Sequence, residues 1–421
     1  MLYSVLFYLA MPLIVLRLLW RSLKAPAYRQ RLAERFGYID ELYIKKPVLW
    51  LHTVSVGETI AAKPLVEALL SNYPQHQLVI TTMTPTGSAQ VQRLFASAIS
   101  QGRIVHTYIP YDISGAVHRF LRAIEPQLAL FMETEAWPTI LRVCQQKNIP
   151  TVLVNARLSE KSLAGYQRFS WITGPVFSRF STVAAQDASG AQRIEQAGAT
   201  SVIITGSLKS EIAIDETLLE QAKILKQQWS VQGQRRLLIA ASTHQGEEEI
   251  ILAAYQQLLT DDPQLRLILV PRHPERFTDI KHLCEKQFTV QCRSELSPIV
   301  DATQIILADT MGELMLFYGV ADIAIVGGSF VERGGHNMLE PAAWGLPIIS
   351  GPSVFNFADI ALTMKSENAL LLVCGEQLAI ALQQLIENTD QAHAMSHASK
   401  RYVEKNRGAL SKTVQIIKSF F

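Results

Sequence analysis

From Pro47 onward, short apolar runs alternate with longer amphipathic ones. Val48-Leu49-Trp50-Leu51 precedes Glu58 to Leu70, Gln77 to Thr82 precedes Ser88 to Phe95, and Gln127 to Met132 precedes Glu135 to Gln146, with Thr151 to Val154 next. Apolar runs of strand length separated by helix-period segments predict βαβ units and a parallel sheet. The rhythm continues through Thr182 to Ala185, a helix around Ala188 to Gln196, and Val202 to Ile204. A polar helical stretch, Asp215 to Gln228, then interrupts it. Strands resume at Arg236 to Ala241, Leu265 to Val270, Gln304 to Leu307, Ala321 to Val326 and Leu346 to Ile349. The pattern predicts an α/β protein of two open sheets facing a central cleft, joined by a linker near Gly206 to Asp215. Ligands of such sheets bind beyond the carboxyl ends of the strands. Gln377 to Phe421 is helical in pattern, with no destination encoded in its periodicity.

The amino terminus breaks the rhythm. Met1 to Leu16 carries no charged side chain, and Arg17, Arg21, Lys24, Arg29, Arg31 and Arg35 follow, opposed only by Glu34. At about 1.5 Å per residue a helix from Met1 to Trp20 spans roughly 30 Å, the thickness of a bilayer core. The basic residues follow the apolar run and Trp20 stands at the interfacial position, which is the reverse of a cleaved signal peptide. The expectation is an uncleaved anchor, residues 1–21, with the body in the cytoplasm and the basic stretch on anionic lipid. The alternative is a buried first helix of a soluble domain.

Composition narrows the class further. The 421 residues exceed one ordinary core, and 18% charged residues without a polar tract exclude disorder. A net charge of +2 gives no reason to expect nucleic acid. Cys144, Cys284, Cys292 and Cys374 stand far apart and form no CxxC pair, so neither a zinc ribbon nor a disulfide framework is predicted.

The candidate chemistry lies in loops that follow strands. Gly327-Gly328-Ser329-Phe330 and Gly334-Gly335-His336-Asn337-Met338-Leu339-Glu340 follow the strand ending at Val326. Glycines there let backbone amides approach a ligand, a helix starting near Asn337 would turn its positive end toward an anion, and Glu340 could accept from a sugar diol. Pro271-Arg272-His273-Pro274 offers a guanidinium for a phosphate, and Asp309-Thr310-Met311-Gly312-Glu313 reads as a helix start. In the first half, Ser55-x-x-Glu58 has the spacing of a capping box, while Glu58 at a sheet's ligand edge also suits a general base. Glu133-Thr134-Glu135 gives either first-turn dipole partners or an acid pair in the cleft. No DxD pair occurs, so the usual carboxylate clamp for a metal diphosphate is missing from the sequence and no metal ligands are assigned.

Seven motifs, in order, carry a resemblance: Ser55-Val-Gly-Glu58, Glu133-Thr-Glu135-Ala-Trp-Pro138, Asn155-Ala-Arg157-Leu-Ser159, Gly206-Ser-Leu-Lys209, Pro271-Arg272-His-Pro274, Met311-Gly-Glu313 and Gly334-Gly-His-Asn337-Met-Leu-Glu340-Pro341. Together they strongly resemble the 3-deoxy-D-manno-octulosonic acid (Kdo) transferase family of lipopolysaccharide synthesis. The resemblance implies a GT-B glycosyltransferase with two Rossmann-like domains. Residues 22–206 would receive lipid IVA, and residues 207–421 would bind CMP-Kdo, with terminal helices crossing back to the first domain. It places nucleotide contacts on Pro271, Arg272, Met311, Gly312, Glu313, Asn337, Met338, Leu339 and Glu340, and the proton acceptor on Glu58. It places transition-state residues on Lys209 and on a carboxylate of the Glu133-Thr-Glu135 motif, Glu133 for preference. It implies inverting, metal-independent transfer with no cofactor beyond the donor substrate, at the cytoplasmic face of the inner membrane of a Gram-negative cell. A GT-B relative using a UDP-sugar is the competing enzyme, which competition by UDP rather than CMP would reveal. A membrane-attached nucleotide-binding scaffold is the non-enzymatic alternative, for which acids opposite a nucleotide site have no use.

Overall fold

The computed structural model describes residues 2–24, 26–39, 44–173, 175–212, 214–295 and 298–421. Met1 of the expected anchor and Ala213 of the expected linker lie outside the described residues. The chain forms two compact units, Met1–Glu211 with Arg407–Phe421, and Ile212–Asn406.

In the first unit the strands are β1 Val48–His52, β2 Gln77–Thr82, β3 Ile104–Tyr108, β4 Pro126–Met132, β5 Thr151–Ala156, β6 Thr182–Ala185 and β7 Val202–Ile204. They form one parallel sheet in the order β3-β2-β1-β4-β5-β6-β7. In the second unit β8 Leu237–Thr243, β9 Arg266–Pro271, β10 Val290–Cys292, β11 Ile305–Leu307, β12 Ile323–Val326, β13 Ile348–Ser350 and β14 Leu371–Leu372 form another, in the order β10-β11-β9-β8-β12-β13-β14.

Both faces of each sheet are covered, which is why the strands read as unbroken apolar runs. In β1, Val48 and Trp50 join the core on one face, and Leu49 and Leu51 join the core on the other. In β8, Leu238 and Ala240 alternate with Leu237, Ile239 and Ala241 in the same way. Three strands escaped the sequence pattern, β3, β10 and β14, and all three are sheet edges. An edge needs less apolar content, and β3 carries a histidine: burial first, and Arg31 second, hold His106 neutral with a pKa down to about 3. The expected helix Glu58 to Leu70 is two helices, Val56–Ala61 and Lys63–Asn72, because Pro64 cannot donate to the preceding turn. Gln377 to Phe421 becomes three helices, Leu378–Glu387, Thr389–Lys405 and Ala409–Lys418. The last of these buries Ala409, Val414, Ile416 and Ile417 in the core of the first unit.

The first helix, Leu2–Lys24, is not a core helix: its apolar span Leu6–Leu23 is only 6% buried. Phe7, Met11 and Ile14, spaced at helical repeats, pack against Tyr111, Ile113 and Ala116, whereas Leu9, Leu13, Leu16, Trp20 and Leu23 are exposed. The basic stretch divides in two. Arg35 is buried, stacked on Tyr108 and donating to the Met83 carbonyl at 3.0 Å. Arg31 is engaged by Glu34, the His106 carbonyl and Ser88. These two side chains brace the β3 edge.

Candidate active site

In the first sheet the strand order reverses between β1 and β4, the place where a ligand crevice forms beyond the carboxyl ends. Glu58 stands in the first turn of the helix that follows β1, and Glu133 and Glu135 in the loop after β4. Ser55 caps the Val56–Ala61 helix by accepting from the Glu58 N–H. Glu58 in turn accepts from the Val54 N–H at 2.7 Å and the Ser55 hydroxyl at 3.3 Å. Its capping and chemical readings therefore coexist. Burial pushes its carboxyl up to about 7; the Val54 N–H opposes the rise, Glu135 and Glu133 add to it, and His52 opposes it.

Glu133 is buried with a left-handed backbone, φ 54°. Its two oxygens take the Lys209 ammonium at 3.1 Å and the Arg157 guanidinium at 3.0 Å. Lys209 sits in a short 3₁₀ turn, Leu208–Ser210, whose Leu208 N–H is held by the buried Asn155 side chain at 2.9 Å. Three separate motifs thus converge on one carboxylate. Neither Glu133 nor Glu135 serves the next helix as a dipole partner. That helix starts at Pro138, and Asp112 accepts from its Thr139 and Ile140 N–H groups at 2.9 and 2.8 Å. Glu135 instead accepts from the Trp137 indole at 2.8 Å and lies 3.8 Å from His52 Nε2.

The second sheet reverses between β8 and β12. After β8 come His244 and Glu247, and after β12 the Gly327-Gly328-Ser329 turn and His336. Glu247 is fully buried and accepts from the N–H groups of His244, Gly328, Ser329 and Phe330 at 2.7–2.9 Å. One carboxylate therefore ties both loops together. Gly328 has φ 69°, and a Cβ there would meet the His336 ring at 2.9 Å. His336 and His244 stack with ring centroids 5.1 Å apart and Nε2 atoms at 2.9 Å, with His273 edge-on to His244 at 5.2 Å. Burial first, then Arg272 and the other two imidazoles, hold His336 neutral at about 4.

The Arg272 side chain is exposed after β9 and has no hydrogen-bond or ion-pair partner among the described residues. Burial raises the Glu340 carboxyl, which the Asn337 amide at 3.2 Å and the charge of Arg272 counter. The helix after Asn337 is short, Leu339–Ala343. Glu313 precedes the helix Leu314–Val320 without capping it. It pairs with Arg293 at 3.0 Å and accepts from the Thr310 hydroxyl, which together outweigh burial and hold its carboxyl below the ordinary range. Gly312 turns left-handed at φ 89°, leaving Met311 exposed. Among the described residues no group of three His, Cys, Asp or Glu is placed to hold a metal ion.

Residues 30–212 match the family described as 3-deoxy-D-manno-octulosonic-acid transferase (kdotransferase), and residues 236–402 match glycosyl transferases group 1. A 3-deoxy-D-manno-octulosonic acid transferase of Haemophilus influenzae is 38% identical over 99% of this chain and 98% of its own length. The chain belongs to the Kdo transferase family. A Bordetella pertussis transferase of the same name is 35% identical over 88% of this chain and 87% of its own. The solved UDP-GlcNAc 2-epimerase of Neisseria meningitidis is 15% identical, covering 89% of this chain and all of its own at a TM-score of 0.55, a likeness of GT-B fold alone. This Kdo transferase is accordingly a glycosyltransferase of lipopolysaccharide biosynthesis.

In the transferase, Glu58, Glu133 and Lys209 lie in the first unit, Glu133 and Lys209 as an ion pair. Arg272, Asn337 and Glu340 form one neighbourhood in the second, and Glu313 makes its own pair with Arg293. Pro271, Met338 and Leu339 are buried, the latter two in a hydrophobic core, so each has backbone rather than side chain to offer a ligand. Sequence reasoning gave no role to His52, Arg157, His244 or Glu247. The signals were a histidine closing an apolar strand, Leu49-Trp50-Leu51-His52, and an acid following Gly246 after β8.

Proposed function

We propose that this Kdo transferase moves Kdo from CMP-Kdo to lipid IVA, the lipid A precursor, in a single inverting displacement that releases CMP without a metal. The acceptor belongs to the amino-terminal domain, residues 22–206, and the donor to the carboxyl-terminal domain, residues 207–421. Glu58 takes the proton from the attacking glucosamine hydroxyl as the new C–O bond forms, and the electrons of the broken anomeric C–O bond leave with the CMP phosphate.

The observation that supports this most directly is the proton affinity of Glu58, raised to about 7 in a carboxylate-rich loop cluster. A base with that affinity is half ionised at neutral pH and still attracts a hydroxyl proton. Lys209, held by Glu133, supplies positive charge toward the donor carboxylate or leaving phosphate. Arg272 and the glycine-rich loop receive the single phosphate of the donor, whose charge needs less cationic help than a diphosphate. The exposed apolar face of Leu2–Lys24, with Arg21 near its carboxyl end and Arg29 beyond it, anchors the body at the cytoplasmic face of the inner membrane and keeps it beside its lipid acceptor.

The test is purified enzyme with CMP-Kdo and lipid IVA in detergent with EDTA, following CMP release and lipid mass, with Glu58→Ala alongside. Whole Kdo units added in EDTA and abolished by Glu58→Ala, with CMP but not UDP competing, is the expected result. Undiminished transfer by Glu58→Ala removes the base assignment, and a lipid unchanged in mass removes the acceptor.

A further inference from the structure

At the β8–β12 reversal of the second unit the backbone has little left to give an anion. Glu247 has taken the N–H groups of Gly328, Ser329 and Phe330. Those of Gly335 and His336 go to the carbonyls of Gly328 and Gly327 at 2.7 and 3.2 Å. What the glycine-rich loop can still offer a phosphate is side chains, Arg333 and His336 among them. Arg272 and Arg333 are exposed, and neither guanidinium has a hydrogen-bond or ion-pair partner among the described residues. The rings of His336 and His244 are parallel, with their Nε2 atoms 2.9 Å apart. At that distance one Nε2 carries a proton and the other accepts it, whichever ring is the donor. A further proton, added at the Nδ1 of the donating ring, keeps that bond and makes it charge-assisted.

The titratable and charged groups facing the pair are Arg272, Arg333, His273 and Glu247. Glu247 favours a charge on His244, and the other three oppose it. Burial first, and then the cationic neighbours, hold both imidazoles below their ordinary range. A seated phosphate reverses the sign of that field, and an opposite charge within about 4–6 Å moves a titration by about one to three pH units. We propose that the His244–His336 pair takes up one proton when the donor's phosphate is seated between it and the two arginines, and so meets the second negative charge of the leaving phosphate. The donor's phosphate is a diester with one negative charge, and the CMP released is a monoester that carries close to two. The pair's proton comes from solvent and makes one imidazolium, while the acceptor's proton goes separately to Glu58. This rests on the reading of the second unit as the donor domain, and extends it to the group that answers the charge of the leaving phosphate.

The test is titration calorimetry of CMP into the full-length enzyme and its His336→Asn, His244→Asn and His273→Asn variants, at pH 6 in buffers of different ionisation heat. The slope of binding heat against buffer heat counts protons, and the difference between parent and variant cancels those that CMP itself gains or loses. His336→Asn and His244→Asn are each expected to bind roughly half a proton less than the parent, from a rise of about two pH units above the free value of about 4. Between pH 8 and pH 5 the parent's advantage in CMP affinity over either variant grows about tenfold, whereas a purely structural pair would weaken binding equally at every pH. His244→Asn carries the test if His336→Asn does not fold. Cytidine, which lacks the phosphate, is expected to bind with no such difference. Equal proton counts in the parent and both pair variants, a count lost only in His273→Asn, or the same difference with cytidine overturns the proposal and leaves the donor reading standing. CMP that does not bind the parent overturns the donor reading, and this proposal with it.

Discussion

The two sheets share one plan and carry opposite chemistry at their carboxyl ends. The first gathers Glu58, Glu133 and Glu135 around the β1–β4 reversal; the second gathers Arg272 and three imidazoles around the β8–β12 reversal. Acids on the first suit a nucleophile that must lose a proton, and positive charge on the second suits an anionic donor. Each also conceals its opposite. Glu133 is neutralised by Lys209 and Arg157, and the second site is assembled around Glu247, an acid with no exposed surface. The sign of a site is thus set by which groups remain uncommitted after the structural pairs are made.

The comparison is broken most decisively by pH. If Glu58 is the base with an affinity near 7, kcat/KM falls about tenfold per unit below that value, roughly a hundredfold at pH 5, and a flat profile removes the acidic site from the chemistry. Stability carries the same signature with a definite sign. The folded carboxyl is raised from 4.5 to about 7, so its contribution is present below 4.5 and lost as pH rises through 7. Glu58→Gln should therefore gain melting temperature on the parent across that window and match it at lower pH. A smaller effect tests the basic site: Arg272→Ala should weaken CMP binding by about thirtyfold in titration calorimetry, the loss of a charge-assisted contact of roughly 2 kcal/mol. Smallest is the scaffold. Glu247→Gln, which replaces two acceptor oxygens by one and adds an unwanted donor, should cost about 1–2 kcal/mol in denaturant unfolding and loosen the donor loop.

Much of the α/β rhythm was legible because strands buried on both faces must be apolar throughout, as in Val48-Leu49-Trp50-Leu51. The edges β3, β10 and β14 were not, since a strand paired on one side tolerates His106 or two residues of length. The helix expected from Glu135 begins at Pro138, because Glu133 turns left-handed and Pro138 fits the first helical turn. Of the candidate site, Glu58 and Arg272 could be named from their loops. The reading of Arg31 and Arg35 as lipid-facing could not survive, since their partners His106, Ser88 and Tyr108 lie some fifty or more positions away in sequence.

By itself the sequence determined the two-sheet α/β class, the loops that end at ligand edges, the apolar amino-terminal helix and, through seven motifs in order, the family. Those properties are local: each is written in the periodicity or identity of a few consecutive residues. Only the tertiary structure decided which carboxylate is paired and which is poised. Glu133 and Glu135 are near neighbours in a single motif, yet one is taken by Lys209 and Arg157 and the other receives Trp137 and faces His52. Charge and proton affinity depend on distance and burial, and these are set by strands that meet across the sheet rather than along the chain.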